Sequence, residues 1–248
     1  MKTIKSLFFT TLSAILLVSC SKDDDGGNQP LQTLLSKRIT DSETLSYTYD
    51  SNNRATGYSS ENPVGENNYS VTYRYNSSGQ MVEANYTTTS GTYTKIVYLH
   101  NNNGQLTQIE TYMVTAGVAT LESKSEADYS TTGKVSVYRT TLSGTPYLNT
   151  EYYLDPNGNI TSQLSYDASG LLIVTSVSSN FDDKKTASAS LPDESFARNK
   201  NNYGTVAVTP TGGSSNISNF MYEYNDDGYP TKRTSNVGSI VTYEYIKR

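Results

Sequence analysis

The sequence predicts an all-β protein, an antiparallel meander of about 14–16 strands curled into a curved sheet or barrel, with a β-sandwich as the alternative. Three observations predict it. Tyrosine is abundant, at 22 copies against 5 Phe and no Trp, and asparagine matches it at 22. Tyr-x-Tyr pairs alternate with polar residues. Four-residue turns rich in Asp, Asn and Gly recur at a spacing near 25 residues. Tyr and Thr favour strands, whereas Asn, Gly, Asp and Ser favour turns. The helix formers Ala, Leu and Glu are not enriched.

Aligned on their fourth residue, the turns centre on Asn53, Gly79, Gly104, Gly133, Gly158, a degenerate Lys185 and Gly228. The intervals are 26, 25, 29, 25, 27 and 43. Two strands with their turns fill about 25 residues, so each repeat is one hairpin. Three residues before the centre stand Asp50, Asn76, Asn101, Ser130, Asp155, Asp182 and Asn225. A short polar side chain at the start of a type I turn bonds the backbone two residues on. The Gly then takes positive φ and supplies the bulge that closes the hairpin.

Four before the centre stand Tyr49, Tyr75, His100, Tyr129, Leu154, Phe181 and Tyr224. Six before stand Tyr47, Tyr73, Tyr98, Ala127, Tyr152, Ser179 and Tyr222. Residues two apart share a strand face. One face therefore collects aromatic rows, while Thr48, Arg74, Asp128 and Glu223 line the other. A second set of turns, such as "DASG" at 167–170 and "SNVG" at 235–238, returns each hairpin. Two alternating sets of turns describe a meander.

The first 19 residues read as a leader. Lys2 and Lys5 precede the apolar run "LFFTTLSAILLV", too short for a stop-transfer helix. Leu17-Val18-Ser19-Cys20 resembles a bacterial lipobox, which implies cleavage before Cys20 and lipidation of its thiol. Cys20 is the only cysteine, so no disulfide supports the fold. Loss of residues 1–19 with their two lysines takes the net charge from −5 to −7. Residues 20–42 read as a lipidated Cys and flexible acidic tether. Within it, Lys22-Asp23-Asp24-Asp25 is similar to the export tag of Bacteroidota surface lipoproteins. The domain is expected over 43–248.

The segments "YTYDSNNRATGY" (47–58), "YRYNSSGQMV" (73–82) and "YEYNDDGYPTKR" (222–233) resemble YD (RHS-type) repeats. The chain as a whole is similar to YD-repeat lipoproteins of Bacteroidota. That resemblance implies a lipid-anchored outer-membrane protein facing the cell exterior. The large RHS shells enclose a cargo, and about 200 residues cannot.

The long interval of 43 marks an irregular insert at about 186–220. "LPDESFARN" (191–199) reads as one or two helical turns, and "PTGGSS" (210–215) as a flexible loop. Loops that interrupt a regular scaffold often carry function. Phe196, Arg198, Asn201, Asn202 and Tyr203 are accordingly the candidate binding residues. The competing reading is a plug that covers a sheet edge or opening.

Chemistry is otherwise sparse. His100, the single His, replaces a ring in a Tyr column, which removes a multi-His metal site and weakens a Ser-His-Asp triad. "DPNGNI" (155–160) has its Gly misplaced for a calcium loop and reads as a turn. No phosphate or dinucleotide motif occurs, and no metal or other cofactor is expected. A net charge of −5 without a basic block argues against nucleic acid. The expected function is a non-enzymatic surface module that binds a glycan or protein. A structural lipoprotein is the alternative. A glycosidase using carboxylates such as Glu151, Glu223 or Glu244 is third.

Overall fold

The computed structural model describes residues 31–63, 68–88, 91–141 and 144–248. The leader, Cys20 and the Lys22–Asp25 segment lie outside the described residues. Gln32–Arg248 form one compact unit. Its strands are β1 (Thr33–Ile39), β2 (Thr44–Tyr49), β3 (Ala55–Glu61), β4 (Tyr69–Tyr75), β5 (Met81–Thr87) and β6 (Thr92–His100). They continue as β7 (Leu106–Thr115), β8 (Val118–Asp128), β9 (Lys134–Thr141), β10 (Tyr147–Leu154) and β11 (Ile160–Tyr166). The last are β12 (Leu172–Phe181), β13 (Tyr203–Pro210), β14 (Asn216–Tyr224), β15 (Pro230–Ser235) and β16 (Ile240–Lys247). Each pairs antiparallel with its neighbour in sequence, and β1 pairs with β16 to close a sixteen-stranded barrel. The sandwich alternative is thereby excluded.

The turns work as their chemistry requires. In the turn after β4, Asn76 Oδ1 accepts Ser78 N–H at 3.0 Å and Gln80 N–H at 2.9 Å. Gly79 N–H donates to Asn76 O at 3.0 Å with φ at 79°. The register then slips by one residue at Arg74/Tyr75. The same slip recurs at Thr48/Tyr49, Leu99/His100, Tyr153/Leu154 and Glu223/Tyr224.

The tyrosine rows face the lumen. Their hydroxyls tie one hairpin to the previous one. Tyr75 donates to Ala55 O, Tyr129 to Leu106 O, Tyr245 to Pro230 O and Tyr49 to Leu35 O, each at 2.7 Å. A Phe would fill the same space without the tie, which explains why this protein prefers Tyr to Phe.

Twelve strands carry charge on the outer face, much of it paired across the ladder. Arg74 meets Glu83 at 2.9 Å, Lys37 meets Glu244 at 3.4 Å, and Lys232 meets Glu223 at 3.0 Å. Lys134 pairs with Glu151, and Lys124 faces Glu110 across the β7–β8 ladder.

Four expectations change. Residues 33–39 are barrel wall rather than tether. "TLLSKRI" supplies the apolar Leu34 and Leu35, which are 3% and 2% exposed, but it lacks the tyrosine pairs from which strands are read. The insert is shorter than 186–220, because β13 and the start of β14 lie inside that range and "PTGGSS" is their hairpin turn. Lys185 is no hairpin turn: the chain leaves the wall after Phe181 and rejoins it at Tyr203. Within the loop, Ala187–Ser190 form one 3-10 turn, and 191–199 are not helical.

Candidate functional site

A sixteen-stranded barrel is too wide for its wall side chains to fill. The 182–202 loop supplies filler. Asp182 closes its neck by accepting Asn202 N–H at 3.0 Å and the Asn202 amide at 3.1 Å, while Tyr224 OH bonds the same carboxylate. The loop then lies across the rim that carries the Asp/Asn–Gly turns. Asn199 Oδ1 accepts Ile160 N–H at 2.7 Å, and Asn159 Oδ1 accepts Lys200 N–H and Asn201 N–H at 3.0 and 2.9 Å. The amide of Asn159, only 1% exposed, donates to Asn201 of the loop at 3.1 Å and to Asp155 of its own turn at 3.2 Å, so the side chain joins the turn to the loop.

On one side the loop packs into the wall. Phe196 lies against the cluster of Val71, Met81, Ala84, Tyr98 and Leu106. Its carbonyl accepts Tyr129 OH at 3.1 Å. Glu194 accepts Tyr86 OH at 3.3 Å and Tyr73 OH as well. Burial, then the Glu194 charge, push Tyr73 far above the usual phenol range and Tyr86 up to about 12. Both stay neutral donors at ordinary pH. Arg198 is internal bracing: it donates to Ser188 O at 3.1 Å and Leu191 O at 3.0 Å, and meets Asp193 at 3.0 Å.

On the other side the loop leaves a chamber of about 210 Å³. Ala187, Ser188, Asn199, Asn201 and Asn202 line its loop side. Arg38, Tyr47, Tyr203, Tyr222, Arg233 and Tyr243 form its walls. The Arg233 guanidinium sits 5.1 Å from the Phe220 ring centre and has no carboxylate at ion-pair distance among the described residues. Arg38 reaches Glu43 at 3.7 Å. Glu43 is also engaged by Ser60 OH at 2.7 Å and Tyr69 OH at 3.2 Å. Burial raises Tyr243 above its ordinary value, with the Arg233 and Arg38 charges opposing that rise. A larger cavity of about 600 Å³, lined by Tyr69, Tyr86, Tyr93, Thr94 and Met113 among others, lies toward the opposite rim.

The structure therefore gathers the five candidate residues around one loop but separates their roles. Tyr203 faces the chamber. Asn201 and Asn202 line it while their amides are committed to Lys184 O and Asp182. Phe196 and Arg198 face away from it. Arg38 and Arg233 escaped sequence reasoning. A signal existed: Tyr58, Ala84, Ile109, Gln163 and Arg233 all stand five residues after a turn centre and point inward, whereas Tyr138, five after Gly133 in a hairpin without the register slip, is exposed.

The remaining candidates disperse. His100 lines a cavity near Asp193 at the looped rim, and burial lowers its pKa. Glu151 is 8% exposed, on the outer face, with Tyr153 OH at 3.2 Å, Tyr166 OH at 2.9 Å and Lys134 around it. Glu223 and Glu244 stand in exposed outer pairs. No group of three or more His, Cys, Asp or Glu suited to a metal occurs among the described residues.

No protein-family model matches the chain, and no curated protein does. Among solved structures, the chain is similar to a porin-like protein from Bacteroides vulgatus ATCC 8482. The identity is 11%, the TM-score 0.54, and the match covers 87% of this chain and 99% of that one. The likeness is one of fold. A porin-like protein from Bacteroides uniformis ATCC 8492 also matches, at 12% identity and TM-score 0.40, over 86% of this chain and 98% of that one.

Proposed function

We propose that the protein is a lipid-anchored outer-membrane barrel, exposed at the cell surface, that binds a glycan or protein ligand in its lumen without transforming it. The observation that carries this reading is the 182–202 loop, which occupies the lumen and leaves a chamber lined by side chains of six wall strands. Lysines and carboxylates midway along many strands favour a barrel standing in water. Each Lys or Arg facing the bilayer midplane costs about 2–4 kcal/mol, and charge occurs on most strands here. β2 and β15, at six residues each, are also shorter than the 9–11 residues that cross a bilayer. Attachment then falls to Cys20, by the lipobox resemblance.

The chain enters the barrel at the looped rim, where Thr33 OH donates to Asp227 of a rim turn at 2.6 Å. A tether at that rim turns the opposite rim away from the membrane. A second reading, a purely structural lipoprotein, is favoured by the tyrosine hydroxyls spent on backbone carbonyls. It accounts for those rows and leaves the Arg38–Arg233 chamber without a role.

Two experiments test the proposal. Cys20→Ala should move the protein from the membrane fraction to the soluble one, and retention in membranes would remove the anchor. The detergent-solubilised full chain should bind saturably to a member of a broad glycan panel or to a surface protein. Shortening the loop by removing 187–201 should abolish that binding. No ligand from either source would leave the structural role.

A further inference from the structure

The chamber has a chemistry of its own. Two guanidiniums, Arg38 and Arg233, flank Tyr243 on adjoining strands, since Arg38 opposes Tyr243 and Arg233 opposes Val241 two residues earlier. The lumenal carboxylates near this region are already occupied: Glu43 by Arg38, Ser60 and Tyr69, and Glu194 by Tyr73 and Tyr86. Arg233 lies beside the Phe220 ring and near Tyr222 and Tyr243, and makes no ion pair or hydrogen bond among the described residues. A part-buried guanidinium with no carboxylate is costly to keep unless an anion arrives.

The rest of the lining is hydroxyl and amide. The Tyr47 and Tyr243 hydroxyls have no hydrogen-bond partner among the described residues. Asn199 uses its oxygen on Ile160 and leaves its NH₂ uncommitted. At about 210 Å³ the space is below that of a drug-sized pocket. It suits one small, hydroxyl-rich unit bearing a carboxylate, with tyrosine faces against its C–H surfaces.

We propose that this chamber takes one unit of an acidic carbohydrate, a hexuronate-type sugar, with Arg233 as the partner of its carboxylate and Arg38 as the second cation. The inference rests on the binding-module reading above and goes further by naming the ligand class.

The test is calorimetric titration of the full chain in detergent with D-glucuronate, D-galacturonate, D-glucose and acetate. At least one hexuronate should bind saturably, and glucose and acetate should bind about tenfold or more weakly. Arg233→Gln should weaken hexuronate binding by about tenfold or more, while Arg233→Lys keeps a charge and recovers part of it. Raising NaCl to about 0.5 M should weaken binding in the parent and less so in Arg233→Gln. If Arg233→Gln fails to fold, as judged by its melting curve, Arg38→Gln and the salt series carry the test.

Several results would overturn the proposal. One is equal binding of glucose and hexuronate, which discards the charge recognition. Another is equal binding of acetate, which discards the sugar. A third is full hexuronate affinity in a well-folded Arg233→Gln. Failure of all four ligands while another glycan or a protein binds would sink this inference and spare the binding module. Failure of every ligand would sink both.

Discussion

Tyrosines in two adjoining sectors of one lumen, which meet where Tyr47 touches Tyr58, have different fates. Along β3–β6 the rings of Tyr58, Tyr69, Tyr73, Tyr86 and Tyr98 pack on each other, on Phe196 and around Glu194. Along β2 and β13–β16, Tyr47, Tyr203, Tyr222 and Tyr243 surround a chamber instead. The repeat is the same, and what differs is the residues that do not repeat. Phe196 and Glu194 reach into the first side, whereas Ala187 and Ser188 face the second and leave space. Repetition builds a wall, and the insert decides which part of that wall is core and which is surface.

The sharpest way to break the packed side is Gly57→Ala. A Cβ there would sit 1.9 Å from Val71 O, at a φ of 149° that favours glycine. We expect a loss of about 3 kcal/mol or more, read as a large drop in melting temperature or failure to fold. Phe196→Ala should cost about 2 kcal/mol, less than a fully buried Phe, measured by denaturant melts. Tyr75→Phe removes one hairpin tie and should cost about 1 kcal/mol. Arg233→Gln, on the chamber side, should change stability by no more than about 0.5 kcal/mol. A cost equal to that of Phe196→Ala would erase the contrast between the two sides.

The smallest effect is one of pH at the closing seam. The Thr33 hydroxyl and the Lys247 ammonium hold the Asp227 carboxyl below its ordinary value of 3.8. A depressed carboxylate pKa adds stability that is present above that ordinary value and fades as pH falls through the native one. Melting temperature should therefore fall below about pH 4, and Asp227→Asn should flatten that part of the fall. An unchanged acid branch in the variant would show that other carboxylates govern it.

Much of this was legible in the sequence. The Asp/Asn–Gly turns fix hairpins through local bonds that need no tertiary context, so strand type and alternation were readable. Barrel closure was not, because β1 and β16 meet across the whole chain and neither carries a mark of its partner. The loop's extent was blurred because "TVAVT" in β13 lacks the tyrosine rows that label other strands. Arg233 looked like any charge on a solvated strand face. Only the one-residue slip in its own hairpin moves it inward, and that slip becomes visible once the register is known. Phe196, Arg198, Asn201, Asn202 and Tyr203 were readable as a group because they interrupt the period, but which of them faces empty space depends on how the loop folds back.

The ends of the described barrel sit side by side: Gln32 N–H donates to Arg248 O at 2.7 Å, and Arg248 N–H returns the bond to Gln32 O at 3.1 Å. Strand order is therefore a circle that happens to be cut between β16 and β1. A gene that joined those two residues through a short linker and reopened the circle at the Ala116–Gly117 turn would encode the same sixteen neighbours. What distinguishes the existing cut is that it places Gln32 and Arg248 at the looped rim, beside the turn that carries Asp227, so the choice of origin decides which rim holds the barrel's two ends.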